Sequence, residues 1–197
     1  MIWDSKALFT KAAAYIESAD GLPDGHEHIP LFHALAVEFL ARAAISSIHP
    51  TLLADPQDEG QHLLHALGLP SKMQPRSIPA HTVFKRADQL ISGFTDAHRK
   101  FCEYFTNLRN EELHTGGTPF SDLADNLWRP RFYEVADVLC IGQKLTLADL
   151  LGKGGESHAR ELIGEIDKND TASVKSRIAS HQKVFNEKTA TSQEKLR

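Results

Sequence analysis

The sequence is poor in cysteine, with only Cys102 and Cys140 among its 197 residues. Two thiols are too few for the disulfide framework of a small secreted domain. Both lie within helical apolar patterns, so we expect ordinary buried thiols in a cytoplasmic protein.

An excess of basic residues is lacking as well. The chain carries 22 Lys and Arg against 26 Asp and Glu, which gives a formal net charge of −4. Proteins that coat nucleic acid without sequence preference usually need the opposite balance. Any contact with nucleic acid is therefore expected at a local site rather than over a broad surface.

Long uncharged apolar runs and strand patterns are also missing. No segment approaches the length of about 18 uncharged apolar residues that marks a membrane-spanning helix, so we predict none. The N-terminal segment is charged throughout and lacks the apolar block of a signal peptide. No run of alternating β-branched residues occurs, which predicts an all-α fold.

Helical periodicity predicts the elements of this fold. Residues 30–48 are apolar almost all round, as in a central helix that is packed on every side. Asp4 is placed to cap a first helix. Segments 80–92 and 94–114 form either one helix or two, since Gly93 and Asp96 favour a break. We predict an antiparallel helical bundle over residues 1–151.

The chain becomes polar after residue 151. The glycine-rich residues 152–155 have the composition of a linker. Helices are predicted near 156–166 and 171–186, followed by a polar tail. We therefore interpret residues 152–197 as a polar linker with a C-terminal helical extension.

One stretch departs from the apolar pattern that leads into it. Five apolar residues follow one another at three- and four-residue steps and predict one buried helical stripe: Phe94, Ala97, Phe101, Phe105 and Leu108. The chain then continues as Arg109-Asn110-Glu111-Glu112-Leu113-His114. Gly116 and Gly117 predict the end of the helix.

Arg109 and His114 are suited to chemistry on a phosphate. A guanidinium holds a phosphate bidentately, and an imidazole moves protons near neutral pH. On a regular helix, however, the two residues lie about 140° apart. We expect them, with Asn110, to line a wide cleft or to meet a second copy across a twofold axis. From the spacing alone, the alternative interpretation is that these residues form an exposed polar helix end without a catalytic role.

The segment from Arg109 to His114 resembles the Arg-x4-6-His motif of the HEPN superfamily, including its Arg-Asn-x-x-x-His form. The apolar second helix and the glycine after the motif agree with that resemblance, which extends over roughly residues 1–150. It implies a HEPN-type bundle that acts as a metal-independent endoribonuclease in a toxin–antitoxin or phage-defence role. Arg109 and His114 would be the catalytic pair, and Asn110 the polar residue beside them.

The resemblance also implies partners. These are RNA, a second copy in a homodimer, and an antitoxin or regulatory protein, with no cofactor. A non-catalytic HEPN module that binds a nucleotide or a partner protein is the alternative. The tyrosine that one toxin branch carries two residues after the histidine is Gly116 here, so modification at that position is not implied.

Three further side chains are candidate substrate contacts. The resemblance points to a polar residue on the second helix, for which Glu38 is the best candidate, although an i,i+4 ion pair with Arg42 is equally compatible. Arg129 and Arg131 are candidate phosphate contacts, and Trp128 is either a stacking surface or a core residue. Histidines at 26, 28, 62, 65 and 81 lack clustered cysteine or carboxylate partners, so we predict no metal site.

Overall fold

The computed structural model describes residues 2–121 and 123–166, which form seven α-helices and no strand. The predicted all-α class is thereby confirmed. The helix predicted near 171–186 lies outside the described residues. The helices are α1 (Ser5–Asp20), α2 (His28–Ile48), α3 (Gln61–Ala66), α4 (Ala80–Leu90), α5 (Asp96–His114), α6 (Asp125–Gly142) and α7 (Leu147–Ile166).

The first helix begins where its cap is predicted. The Asp4 carboxylate accepts a hydrogen bond from the Ala7 backbone N–H at 2.8 Å. Along α1, Tyr15 packs its ring against Phe32 and Phe39 of α2, with centroid separations of 6.3 and 5.7 Å. The first two helices therefore form a tightly packed pair.

The second helix is the centre of the bundle, as its composition predicts. Thirteen of its 21 residues are buried, and it contacts α1, α4, α5 and α6. The length and composition of α2 would also suit a membrane span. Core helices of soluble proteins share these properties, and 56% of the most apolar 18-residue stretch of α2 is buried inside this fold.

The segment from 80 to 114 forms two helices rather than one. Gly93 adopts a φ of +84°, which leaves the right-handed helical region. Thr95 then starts α5 with a capping box. Its hydroxyl accepts from the His98 N–H, and the His98 ring accepts from the Thr95 N–H at 3.1 Å. In the apolar stripe of α5, His98 is buried, whereas the predicted Ala97 is exposed.

The linker predicted at residues 152–155 is not present. Gly152 adopts a φ of +71°, which bends the chain once within α7, and helix continues on both sides. Beyond the bend, Ala159 is fully buried and Arg160 pairs with Asp137 of α6 at 2.6 Å. The second half of α7 therefore packs on the bundle through Ala159, Leu162 and Ile163, because Gly152 provides a bend rather than a flexible tether.

Both cysteines are buried within the core, as predicted. Burial raises the pKa of Cys140 to about 12 and also raises the pKa of Cys102 well above its usual range. Neither thiol is therefore a reactive thiolate near neutral pH.

Candidate functional site

The predicted motif lies at the end of α5. His114 is the last helical residue, and the Thr115 N–H caps the helix by bonding to the Glu111 carbonyl at 3.0 Å. The apolar stripe continues to Leu108, which is 4% exposed. The helix thus leaves the core within the motif, close to the glycines that predict its end.

Arg109 points back towards the bundle. Its side chain is only 17% exposed, and Nη1 donates to Oε2 of Glu38 at 2.8 Å. Its Nε is buried and has no acceptor among the described residues. The guanidinium is therefore oriented by one carboxylate and keeps donors that no protein atom uses.

Glu38 joins two arginines across the buried face of α2. One oxygen accepts from Arg42 Nη2 at 2.7 Å and Nε at 3.0 Å, and the other accepts from Arg109. The two interpretations of Glu38 are thus compatible, since it pairs with Arg42 and also contacts the motif. Two guanidinium groups against one carboxylate leave the cluster with a formal charge of +1.

Arg42 extends this cluster to the segment before α4. Its Nη1 donates to the Ser77 hydroxyl and its Nη2 to the Ile78 carbonyl, both at 3.2 Å. These two contacts lie 35 and 36 residues away in the chain, so helical spacing gives no signal for them. Arg42 fixes the carboxylate that in turn fixes Arg109.

Asn110 and His114 lie on the solvent side of α5, and both are exposed. Around the helix they stand about 100° and about 140° from Arg109. Leu113, which is 55% exposed, falls between Arg109 and His114. One chain therefore does not bring Arg109 and His114 onto one face, in agreement with the spacing argument.

The arginines of α6 pair with carboxylates of their own helix. Arg129 pairs with Asp125 at 3.0 Å and lies over the Trp128 ring, and Arg131 pairs with Glu134 at 2.7 Å. Within residues 2–121 and 123–166, no hydrogen bond or ion pair links either arginine to Arg109 or His114. Their role as phosphate contacts therefore stays a prediction.

Trp128 is a core residue rather than an exposed stacking surface. It is 1% exposed, its indole N–H donates to Asp125 at 3.1 Å, and its ring packs on Phe105. A base that approached from solvent would not reach it. The sequence interpretation as a stacking surface fails because Trp128 faces α2 and α5.

His33 is an unanticipated buried titratable group on α2. Its Nδ1 lies 2.8 Å from the Ile29 carbonyl, and its ring packs edge-on against Trp128 and Phe132. Burial lowers the pKa of His33 to about 4, so the ring is neutral near pH 7. A neutral imidazole enclosed by aromatic rings has a packing role.

Two clefts on the bundle lie apart from the motif. One of about 580 Å³ lies between the α1–α2 connection and the start of α6, and its lining includes His26, Glu27 and Asp125. The other, of about 380 Å³, lies between α4 and α5. Neither is lined by Arg109 or His114, so these clefts are not the wide single-chain site considered from the sequence.

The histidines do not assemble a metal centre in the described part of the chain, where no three His, Cys, Asp or Glu side chains are grouped to hold an ion. His62 instead is buried and pairs with Asp58 at 3.1 Å. This pairing ties the short α3 to the turn that precedes it.

Comparison with models of known protein families, with curated proteins and with solved structures finds no match to this chain.

Proposed function

We propose that this protein is a metal-independent endoribonuclease whose site combines Arg109 and His114 from two copies of the chain. The observation that carries the proposal is the placement of Arg109. A guanidinium at the end of a packed helix is held by Glu38 from the central helix, within a cluster of net positive charge. Such a preorganised group suits the charge that develops on a phosphate during transfer.

Each residue has a defined role in this reaction. The His114 imidazole takes the proton from the ribose 2′-hydroxyl, and the 2′-oxygen attacks the adjacent phosphorus. Arg109 stabilises the negative charge that develops on the phosphate oxygens. The bond to the 5′-oxygen breaks, and a protonated imidazole returns a proton to that leaving oxygen. The products are a 2′,3′-cyclic phosphate and a 5′-hydroxyl.

Helix geometry supports the use of a second copy. The two side chains stand about 140° apart on α5, so an imidazole and a guanidinium from one chain face different directions. A twofold axis near the exposed Leu113 would bring His114 of one copy towards Arg109 of the other. In this arrangement Asn110 borders the shared site.

Cleavage in the presence of EDTA is the direct test. The purified chain should cut single-stranded RNA and leave cyclic phosphate ends, and His114→Ala should lower the rate by about 100-fold or more. His158→Ala, which alters another exposed histidine on α7, should leave the rate unchanged. Intact RNA after incubation with the native dimer, or equal rates in both variants, would overturn the proposal.

Mixing of inactive variants tests the shared site. Arg109→Ala and His114→Ala should each be inactive, yet an exchanged mixture should recover up to about a quarter of native activity, because half of the dimers then carry one complete site. Recovery in the mixture supports a site built from two chains. No recovery, despite proven exchange of subunits, contradicts it.

A second function is favoured by the burial of Arg109. A guanidinium that is 17% exposed and already paired with Glu38 also suits a purely structural ion pair. In that case the domain binds a nucleotide or partner protein without turnover. Saturable RNA binding by a native chain that never cleaves, with Arg109→Lys unchanged in affinity, would support this alternative.

A further inference from the structure

The two arginines that share Glu38 differ in how many of their donors the protein uses. An arginine side chain carries five N–H donors. Arg42 donates four hydrogen bonds, at 2.7–3.2 Å. Two of them go to Glu38, and the others go to Ser77 and Ile78. Arg109 donates one hydrogen bond within the described residues, from Nη1 to Glu38 at 2.8 Å. Arg42 is therefore anchored, whereas Arg109 keeps most of its donors.

The unused donors of Arg109 are not equally accessible. Its Nε is enclosed by protein atoms, so a ligand does not reach it. Nη2 also has no acceptor in residues 2–121 and 123–166, but it is not enclosed in this way. The side chain is 17% exposed. Nη2 and the second hydrogen of Nη1 are therefore the donors left for a phosphate oxygen.

The two oxygens of Glu38 are divided between the arginines. Oε1 accepts both bonds from Arg42, through Nη2 at 2.7 Å and Nε at 3.0 Å. Oε2 accepts the single bond from Arg109. A carboxylate that faces one arginine frequently binds it through two parallel N–H···O bonds. Because Arg42 occupies Oε1, Arg109 is restricted to one bond.

Arg42 also sets the charge of the cluster to which Arg109 belongs. With Arg42 in place, two guanidinium groups oppose one carboxylate, which leaves a formal charge of +1. Without Arg42, Glu38 and Arg109 would form a neutral pair. The three side chains are only 11–17% exposed, so water screens their charges weakly. A phosphate beside Arg109 is therefore attracted by a full positive charge only while Arg42 is present.

The acceptors that anchor Arg42 lie in the connection between α2 and α4. Ser77 forms an antiparallel bridge with Ala54, and the Ile78 N–H donates to the Leu53 carbonyl at 2.9 Å. These backbone contacts fix the hydroxyl and the carbonyl to which Arg42 donates. Arg42 is therefore held independently of the carboxylate with which it pairs.

We propose that Arg42 is a positioning residue, which occupies Oε1 of Glu38 and thereby keeps Arg109 free to bind the phosphate of the RNA. This role rests on the ribonuclease function proposed for Arg109 and His114. Arg42 does not touch the substrate and acts through Glu38. Its loss allows Arg109 to bind both oxygens of Glu38, which takes Nη2 away from the phosphate and leaves a neutral pair.

Two substitutions of Arg42 in the full-length chain test this role. Arg42→Met removes the charge and the donors, and it should lower kcat for RNA cleavage about tenfold with KM unchanged, because the lost interaction is with charge that develops in the transition state. Arg42→Lys should lower kcat by about threefold or less, since an ammonium still occupies Oε1 of Glu38 and keeps the cluster at +1. Equal losses in the two variants, or a change confined to KM, would overturn the proposal.

Arg99→Met is the matched control for a general loss of stability. Arg99 also pairs with a glutamate four residues away, Glu103, and is 20% exposed, but it makes no contact with Glu38. This variant should keep the native kcat, and a tenfold loss in it would contradict the assignment. Urea unfolding shows which variants are folded in the assay. Should Arg42→Met not fold, Arg42→Gln, which also lacks the charge, is compared with Arg42→Lys in its place.

A crystal structure of Arg42→Met gives a measurement that does not depend on cleavage. It should show Arg109 donating to both oxygens of Glu38, whereas the native chain has one such bond. A single bond in the variant would overturn the proposal. If the native chain leaves RNA intact, the ribonuclease proposal fails, and this structure still decides whether Arg42 restricts Arg109 to one bond.

Discussion

The carboxylate of Glu38 lies between two guanidinium groups, and neither Arg42 nor Arg109 pairs with any other carboxylate among the described residues. Their side chains are 11–17% exposed, so water compensates little for a lost partner. Removing the carboxylate from this cluster would leave two buried cations without a counter-charge. At the scale of single residues, stability and candidate chemistry therefore depend on the same carboxylate.

Glu38→Gln should lower the free energy of unfolding by about 3 kcal/mol, because two arginines lose their counter-charge. The double variant Glu38→Gln, Arg109→Met should recover part of that loss. Urea unfolding monitored by circular dichroism measures both changes. A loss below about 0.5 kcal/mol would mean that the cluster behaves like an exposed ion pair.

His33 should make stability depend on pH. Its folded pKa of about 4 lies below the unfolded value of 6.5, so only the unfolded chain binds this proton at intermediate pH. The contribution of His33 is complete above about pH 6.5 and decreases as pH falls towards 4, by about 3 kcal/mol in all.

His33→Leu removes the titrating ring and keeps an apolar side chain in the core. Urea unfolding at pH 7.5, 6 and 5 should show a smaller decrease in stability for this variant than for the native chain. Parallel pH profiles for the two proteins would show that His33 does not titrate as its burial implies.

The sequence predicts some of these residue contacts and not others. Glu38 and Arg42 are four residues apart, and helix geometry predicts their pairing. Arg109 lies 71 residues from Glu38, and the two meet only because α5 packs against α2. Contacts between elements require the packing of those elements, which periodicity alone does not specify.

At the scale of elements, the break between α4 and α5 lets these two helices pack against each other. The positive φ of Gly93 is one cause of this break. A β-carbon at that position would meet no clash, because the nearest atom lies 3.8 Å away. It would still add backbone strain, because residues with a β-carbon disfavour a positive φ.

Gly93→Ala should therefore destabilise the protein by about 1–2 kcal/mol. Gly164→Ala is the matched control, because Gly164 lies in α7 with a right-handed conformation and nothing within 4 Å of an added β-carbon. That variant should be stabilised by about 0.5–1 kcal/mol. Thermal unfolding compares them, and equal shifts would contradict a special role for Gly93.

Element boundaries follow from the sequence where a local rule decides them. Asp4 caps α1, and an all-round apolar composition predicts the central position of α2. The rule fails at Gly152, because composition does not distinguish a flexible linker from a single bend between helices. The packing of residues 153–166 onto α6 decides between the two.

At the scale of the whole molecule, the second half of α7 belongs to the bundle. Ala159→Glu should destabilise the full-length chain by about 3 kcal/mol or more, because it buries an unpaired charge. Ser157→Glu, two residues away and exposed, should have little effect. Chemical denaturation gives the free energy of unfolding of both variants. Similar values for the two would show that Ala159 does not contribute to the core.

The sharing of one carboxylate by two arginines constrains how the sequence can evolve. A substitution at position 38 alone leaves two buried cations, whereas a substitution at 42 or 109 alone leaves one arginine paired with Glu38. Either arginine can therefore be lost before the carboxylate, but the carboxylate cannot be lost first. Among relatives of this chain, position 38 is expected to change only where position 42 or 109 has changed as well.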